Sequence, residues 1–169
     1  LTLVGVTQYL EPDYWPGWSD QERQLLAYGA AQIVGRVVDR LEFCGHKLES
    51  AYGIVHDKDT QEVWDSAAGE MVQQPKPRHV HMVLKFTDRS TGGTLERLAE
   101  VIGVQPQYVE KAGKGRYGHD NMLSYLTHVK YPEKYQYDPA EVATVRGPDY
   151  LGIDAQRRDC LLYTSDAAD

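Results

Sequence analysis

Long apolar runs are missing from this chain of 169 residues: no stretch of eighteen apolar residues occurs, and a membrane-spanning helix is therefore not expected. Cysteine is scarce. The two present, Cys44 and Cys160, show no pairing pattern, which argues against a disulfide-held secreted scaffold and for a reducing cytoplasm. The N-terminus carries neither an initiator Met nor the basic, apolar and small-residue order of a signal peptide. It begins at Leu1 inside an apolar strand-like run, as a fragment lacking its true start would. An excess of positive charge is lacking too, since the net charge is −7, and that normally counts against a nucleic-acid partner. The distribution reverses this. Between Lys76 and Lys130 nine Lys or Arg face five Asp or Glu, so this third of the chain is net +4 and the remainder −11.

What is present centres on Arg78-His79-Val80-His81-Met82-Val83-Leu84-Lys85-Phe86. Val80, Met82, Leu84 and Phe86 alternate with His79, His81, Val83 and Lys85, the period of a half-buried strand. Residues two apart on a strand project from the same face roughly 7 Å apart, a spacing that suits a shared metal ion. Two histidines on a wet face also need no function, and the same spacing serves cupins, metallo-hydrolases and nucleases, so the pair alone names no reaction.

Around this strand the chain reads as strand 1–10, loop 11–18, and a long amphipathic helix over about 20–42 opened by the Ser19-x-x-Glu22 capping box. A strand over 47–56 follows, ending in His56-Asp57-Lys58-Asp59, and then a long hairpin loop over 60–77. Leu95, Leu98 and Ile102 mark a helix that Gly103 can end. A short strand at 105–110 leads to the basic loop Lys111 to Arg116, and a helix over about 119–130 runs to Pro132. This order predicts an α+β fold: an antiparallel sheet in a ferredoxin-like or RNA-recognition-like split β-α-β arrangement, with helices on one face and His79 and His81 on the open one. We place the domain at 1–145 and a C-terminal extension at 146–169. The end, from Arg157 to Asp169, shows no periodicity and resembles adapter read-through, so it is excluded from the fold argument.

If the register allows, His56 joins His79 and His81 on the open face, and Asp59 folds back as an oxygen donor. Imidazoles with a carboxylate suit Mn²⁺, Co²⁺ or Zn²⁺ better than Mg²⁺. Alone, His-Asp-Lys-Asp is an ordinary polar turn. Tyr125 lies at the edge of the last helix's apolar stripe, with Asn121 and His128 on a common face; such a tyrosine is by default a core residue with a wet hydroxyl.

Ile-Val-His-Asp-Lys-Asp at 54–59, Arg-His-Val-His-Met-Val-Leu at 78–84 and Asn-Met-Leu-Ser-Tyr-Leu-Thr-His at 121–128, in that order, resemble the HUH endonuclease domain of rolling-circle plasmid replication initiators, specifically the small initiators of Gram-positive bacterial plasmids. The resemblance covers about 1–140. It implies His79, His81, His56 and Asp59 as ligands of a divalent metal, Mn²⁺ before Mg²⁺, Co²⁺ or Zn²⁺, and Tyr125 as the single nucleophile. It implies cleavage of single-stranded or hairpin origin DNA, with a 5′-phosphotyrosine and a free 3′-OH that primes a host polymerase, helped by a host helicase, in the bacterial cytoplasm. A phenol with pKa ~10 needs help to ionise at neutral pH, and His128 is a candidate for that role. Lys111, Lys114, Arg116 and Lys130 would neutralise backbone phosphates, while Tyr117 or Tyr108 could stack bases. The family's oligomerising C-terminal region is not visible, so homo-oligomer formation would depend on a region outside this sequence. A relaxase or transposase of the same chemistry remains a rival, although relaxases place the tyrosine ahead of the histidines. A non-catalytic origin-binding module with a structural metal is a second rival, and a cupin-like or hydrolytic metal enzyme a third.

Overall fold

A computed structural model describes residues 2–113, 115 and 117–168, with residues 160–168 by their backbone alone. In chain order its elements are β1 (Leu3–Tyr9), α1 (Asp20–Arg23), α2 (Ala30–Phe43), β2 (Leu48–His56), β3 (Thr60–Asp65), β4 (Glu70–Pro75), β5 (His79–Phe86), α3 (Arg89–Gly92), α4 (Leu95–Ile102), β6 (Val109–Lys111), α5 (Gly118–Tyr125), β7 (Ala143–Arg146) and α6 (Tyr150–Ala168). Five strands form one antiparallel sheet in the order β6-β1-β5-β2-β7. The first four in that order are the split β-α-β arrangement: β5 lies between β1 and β2, which α2 connects, and α4 carries the chain from β5 to the edge at β6. The α+β class and the antiparallel sheet are as the sequence predicts.

The alternation in β5 fixes which face is core. Val80, Met82, Leu84 and Phe86 join Val4 and Val6 of β1 and Ile33, Val34, Val37, Val38 and Leu41 of α2 in the principal core. There α2 lies so close to the sheet that a Cβ at Gly53 would collide with Val34 Cγ2. The other face is not bare as expected. Tyr52, Ile54 and Val83 project from it and pack with Leu123, Leu126, Tyr137, Val142 and Tyr150 as a second core. β2 carries apolar side chains on both faces, and that demands a second layer of cover.

Three local expectations are also corrected. The helix expected over 20–42 is interrupted: α1 runs into a 3₁₀ turn over Gln24–Ala27, Tyr28 is extended, and α2 restarts after Gly29. The loop expected over 60–77 contains a two-stranded sheet in which Trp64 pairs with Met71; both side chains are exposed, so no core signal marked it. Residues 150–168 are helical despite lacking periodicity, and Tyr150 at its start is wholly buried.

Ser19 and Glu22 do form the reciprocal capping box. Glu22 also receives Arg36 Nε at 2.7 Å and Arg40 Nη1 at 2.8 Å, while Arg40 Nε donates to Val101 O, tying the entry loop, α2 and α4 together. Burial of the Glu22 carboxyl favours its neutral form, but the hydrogen bond from the Ser19 amide and the two guanidinium groups outweigh this and lower its pKa from 4.5 to about 2. A carboxyl lowered on folding stabilises fully above its unfolded value and loses that contribution as pH falls through the folded one. Glu22→Gln is therefore expected to cost about 1.5–3 kcal/mol at pH 7. In urea titrations, the gap from wild type should close between pH 4.5 and 2; a gap independent of pH would show that the carboxylate's charge is immaterial.

Candidate active site

Register brings the histidines together. His56 of β2 lies directly across from His79 of β5, and His81 pairs with Ile54 on one side and Thr7 of β1 on the other. The ring of His56 sits 5.4 Å from that of His79, 4.4 Å from His81 and 4.7 Å from His128. Asp59, just past the end of β2, folds back as expected: its Oδ2 is 3.1 Å from His79 Nε2 and 3.4 Å from His56 Nδ1. Tyr137 fixes it there. The Tyr137 hydroxyl donates to Asp59 Oδ1 at 2.6 Å and accepts from the Lys58 amide, while its ring stacks on His56 at 4.3 Å and 10°.

The outward ring nitrogens are committed. His56 Nε2 contacts Leu126 O at 2.7 Å, His79 Nδ1 contacts Pro77 O at 2.9 Å and His128 Nδ1 contacts Tyr135 O at 2.9 Å. A carbonyl can only accept, so each of these nitrogens carries the proton and the opposite nitrogen presents a lone pair. Those opposite atoms, His56 Nδ1, His79 Nε2 and His128 Nε2, are buried without a hydrogen bond. His81 Nδ1 meets Thr7 Oγ1 at 3.0 Å.

Burial lowers His56 to about 4, against the opposing effects of the Leu126 carbonyl and Asp59. It likewise lowers His79, and holds His81 well below the usual imidazole range. Burial also penalises the charged form of Asp59, but the Tyr137 hydroxyl and the surrounding imidazoles outweigh it and keep the carboxyl below its ordinary value. The buried Nδ1 of His56 and Nε2 of His79 thus face one carboxylate oxygen of Asp59. Nitrogen donors with one carboxylate are a set that could hold a divalent transition metal. Donor atoms of His56, His79 and His81 lie within 4.8 Å of one another, as do those of His56, Asp59 and His128.

Tyr125 is the last residue of α5, half-buried, with its ring 5.3 Å from that of His81. Helix α5 ends there and not at 130. His128 N bonds back to Tyr125 O, and His128 itself adopts φ 63, so the chain tightens into a turn before Pro132 is reached. The hydroxyl of Tyr125 accepts a hydrogen bond from Lys134 Nζ at 2.9 Å, and this bond raises the ammonium's pKa. The sequence reading missed both Lys134 and Tyr137. They lie in Lys134-Tyr135-Gln136-Tyr137, beyond the last helix, where no periodicity assigns a direction to a side chain. His128 packs its ring 5.0 Å from Tyr125 but makes no hydrogen bond to the hydroxyl.

A cleft of about 690 Å³ opens beside Tyr125 and His81, walled by Met122, Asn121, Tyr117 and Lys76. Among the expected phosphate contacts, Lys111 is exposed on the edge strand β6. Lys130 is held by Asp120 at 2.8 Å and Asn121 at 3.0 Å. Lys114 and Arg116 lie outside the described residues. Tyr117 is exposed at the cleft, while Tyr108 lines a smaller one with Tyr9 and His79. Among the described residues no helix is long and apolar enough to cross a membrane.

Comparison with known proteins gives two findings. Residues 41–150 match the family described as plasmid replication protein, origin binding domain. A stretch of 96 residues is 30% identical to "Replication protein RepB" of Lactiplantibacillus plantarum. That stretch is 56% of this chain and 37% of the relative, so the chain spans little more than a third of the protein it matches.

Proposed function

Since the chain belongs to the plasmid replication protein, origin binding domain family, we propose that it initiates replication at a plasmid origin by nicking one DNA strand through a covalent bond to Tyr125. The observation that carries this reading is the meeting of Tyr125 with Lys134 and His81, at the rim of a buried cluster of imidazoles and one carboxylate. An origin-binding module without catalysis would not need a tyrosine hydroxyl in contact with an ammonium beside such a cluster.

His56, Asp59, His79 and His81 would hold the divalent ion, Mn²⁺ in preference to Mg²⁺. When bound, such an ion neutralises charge on the non-bridging oxygens of a phosphate. The chain's own residues do the rest. The cleft beside Tyr125 admits an unpaired strand or the loop of an extruded hairpin and holds its backbone near the hydroxyl. Lys134 stabilises the phenolate as the proton departs to solvent. Tyr125 Oη then bonds to phosphorus, the bond from phosphorus to the 3′ oxygen breaks, and that oxygen takes up a proton as the 3′-OH. The phosphodiester is conserved as a 5′-phosphotyrosine, so attack by a 3′-OH reverses the step and joins strands. The free 3′-OH is a primer for a host polymerase, with a helicase opening the duplex, in the cytoplasm of a bacterial host. Lys111, with Lys114, Arg116 and Lys130, would supply phosphate contacts whose number sets the salt dependence of binding.

The reading is tested by incubating the protein with 5′- or 3′-labelled hairpin oligonucleotides and Mn²⁺, and resolving the products on a denaturing gel. A covalent adduct on the fragment 3′ of the nick is expected, and cleavage without any adduct would refute it. Lys134→Met is expected to lower the single-turnover cleavage rate about 10- to 100-fold, with oligonucleotide affinity changed far less. Lys134→Arg should restore part of the rate, and an unaltered rate in Lys134→Met would remove this residue from the mechanism.

A further inference from the structure

His128 is the one described non-glycine residue with a positive φ, at 63°, a backbone region that histidine enters only when its surroundings hold it there. They do so from several sides. Nδ1 donates to Tyr135 O at 2.9 Å, Gln136 Nε2 donates to His128 O at 2.8 Å, and the ring lies among those of His56, Tyr125 and Tyr137. This scaffold aims a single atom, Nε2, into the interior, where it is buried and without a hydrogen bond. Nε2 makes no hydrogen bond to the Tyr125 hydroxyl, so proton abstraction from it does not account for Nε2. The neighbours that do are metal-ligand types, since donor atoms of His56, Asp59 and His128 fall within 4.8 Å of one another. Atoms sharing one ion at ~2.1 Å stand at most about 4.2 Å apart, so a small inward shift brings these three donors within reach of one ion.

We propose that His128 Nε2 is a further ligand of the divalent ion, binding it from the turn that follows Tyr125, opposite the ligands supplied by β2 and β5. The inference rests on the metal reading given under the proposed function and adds to it a covalent path between nucleophile and ion. Only Leu126 and Thr127 separate His128 from Tyr125, so ion binding sets where the tyrosine stands and orders the segment 126–137.

His128→Asn isolates the ligand atom: Asn tolerates the left-handed backbone, and its amide NH₂ can replace the donor to Tyr135 O, but nothing replaces Nε2. Isothermal calorimetry with Mn²⁺ alone is expected to show affinity reduced at least about 10-fold. Hydrogen exchange is expected to show that the Mn²⁺-induced protection of 126–137 is lost. Affinity within twofold of wild type, while His79→Ala has lost it, would overturn the role of His128 and leave the metal site standing. Wild-type affinity in both variants would overturn the metal site itself. A measurement on the unmutated chain keeps the question open to decision should the variant misfold. In the Co²⁺ form, proton NMR counts hyperfine-shifted exchangeable imidazole N–H signals: four, from His56, His79, His81 and His128, support the proposal, and three overturn it.

Discussion

Replacing Tyr125 with phenylalanine is expected to abolish nicking and the covalent protein-DNA adduct together, with a loss of at least about a thousandfold in single-turnover rate. Binding of the same oligonucleotide should change little. The substitution deletes one oxygen. The phenyl ring still packs against His81 and His128 and still borders the cleft, so fold and cleft are retained while the atom that would bond to phosphorus is gone. The hydroxyl's contact is with the exposed Lys134 and not with the core, and its removal leaves no buried polar group stranded. Residual cleavage at the wild-type rate would mean that water or another hydroxyl attacks, and Tyr131, whose ring lies 5.4 Å from that of Tyr125, would be the first to examine.

The second large effect concerns the ligands. His79→Ala and His81→Ala are each expected to weaken Mn²⁺ binding by about 100-fold, measured by isothermal calorimetry, and to stop nicking at Mn²⁺ concentrations that saturate the wild type. Bound metal also stabilises the folded state by mass action. At a hundred times Kd the gain is about 2.7 kcal/mol, equivalent to a rise in Tm of roughly 5–10 °C for a chain of this size, and a chelator should reverse it. The two variants should differ in the metal-free state. His79 is fully buried on Asp59 and the Pro77 carbonyl, whereas His81 is partly open to the cleft, so His79→Ala should also lower metal-free stability. Unchanged affinity in both would remove them as ligands.

Strand alternation carried much of this site into view. The period of two through β5 shows that His79 and His81 share a face opposite Val80 and Met82, and the capping box at Ser19 and Glu22 is stated by residue type. The pairing of His56 with His79 depends on register, which strand sequences leave free and the intervening β3-β4 hairpin decides. Leu126 and Val129 continue an apolar spacing that predicts a longer last helix, although the chain turns at His128 and Leu126 is buried from a turn. Lys134 and Tyr137 reach the site from a segment of turns and irregular backbone, where direction is set by tertiary contacts alone. The cover over the second sheet face was hidden for a related reason: Tyr137, Val142 and Tyr150 are isolated apolar residues in polar surroundings and form no periodic stripe.

The account is tested most directly by locating the bond between protein and DNA. After reaction with a hairpin oligonucleotide and Mn²⁺, nuclease trimming and trypsin should leave a peptide over 117–130, which contains both Tyr117 and Tyr125. Fragmentation mass spectrometry is expected to find the 5′-phosphodeoxynucleotide on Tyr125. A nucleotide on Tyr117, on Tyr131 or on no residue while the strand is nonetheless cut would contradict it.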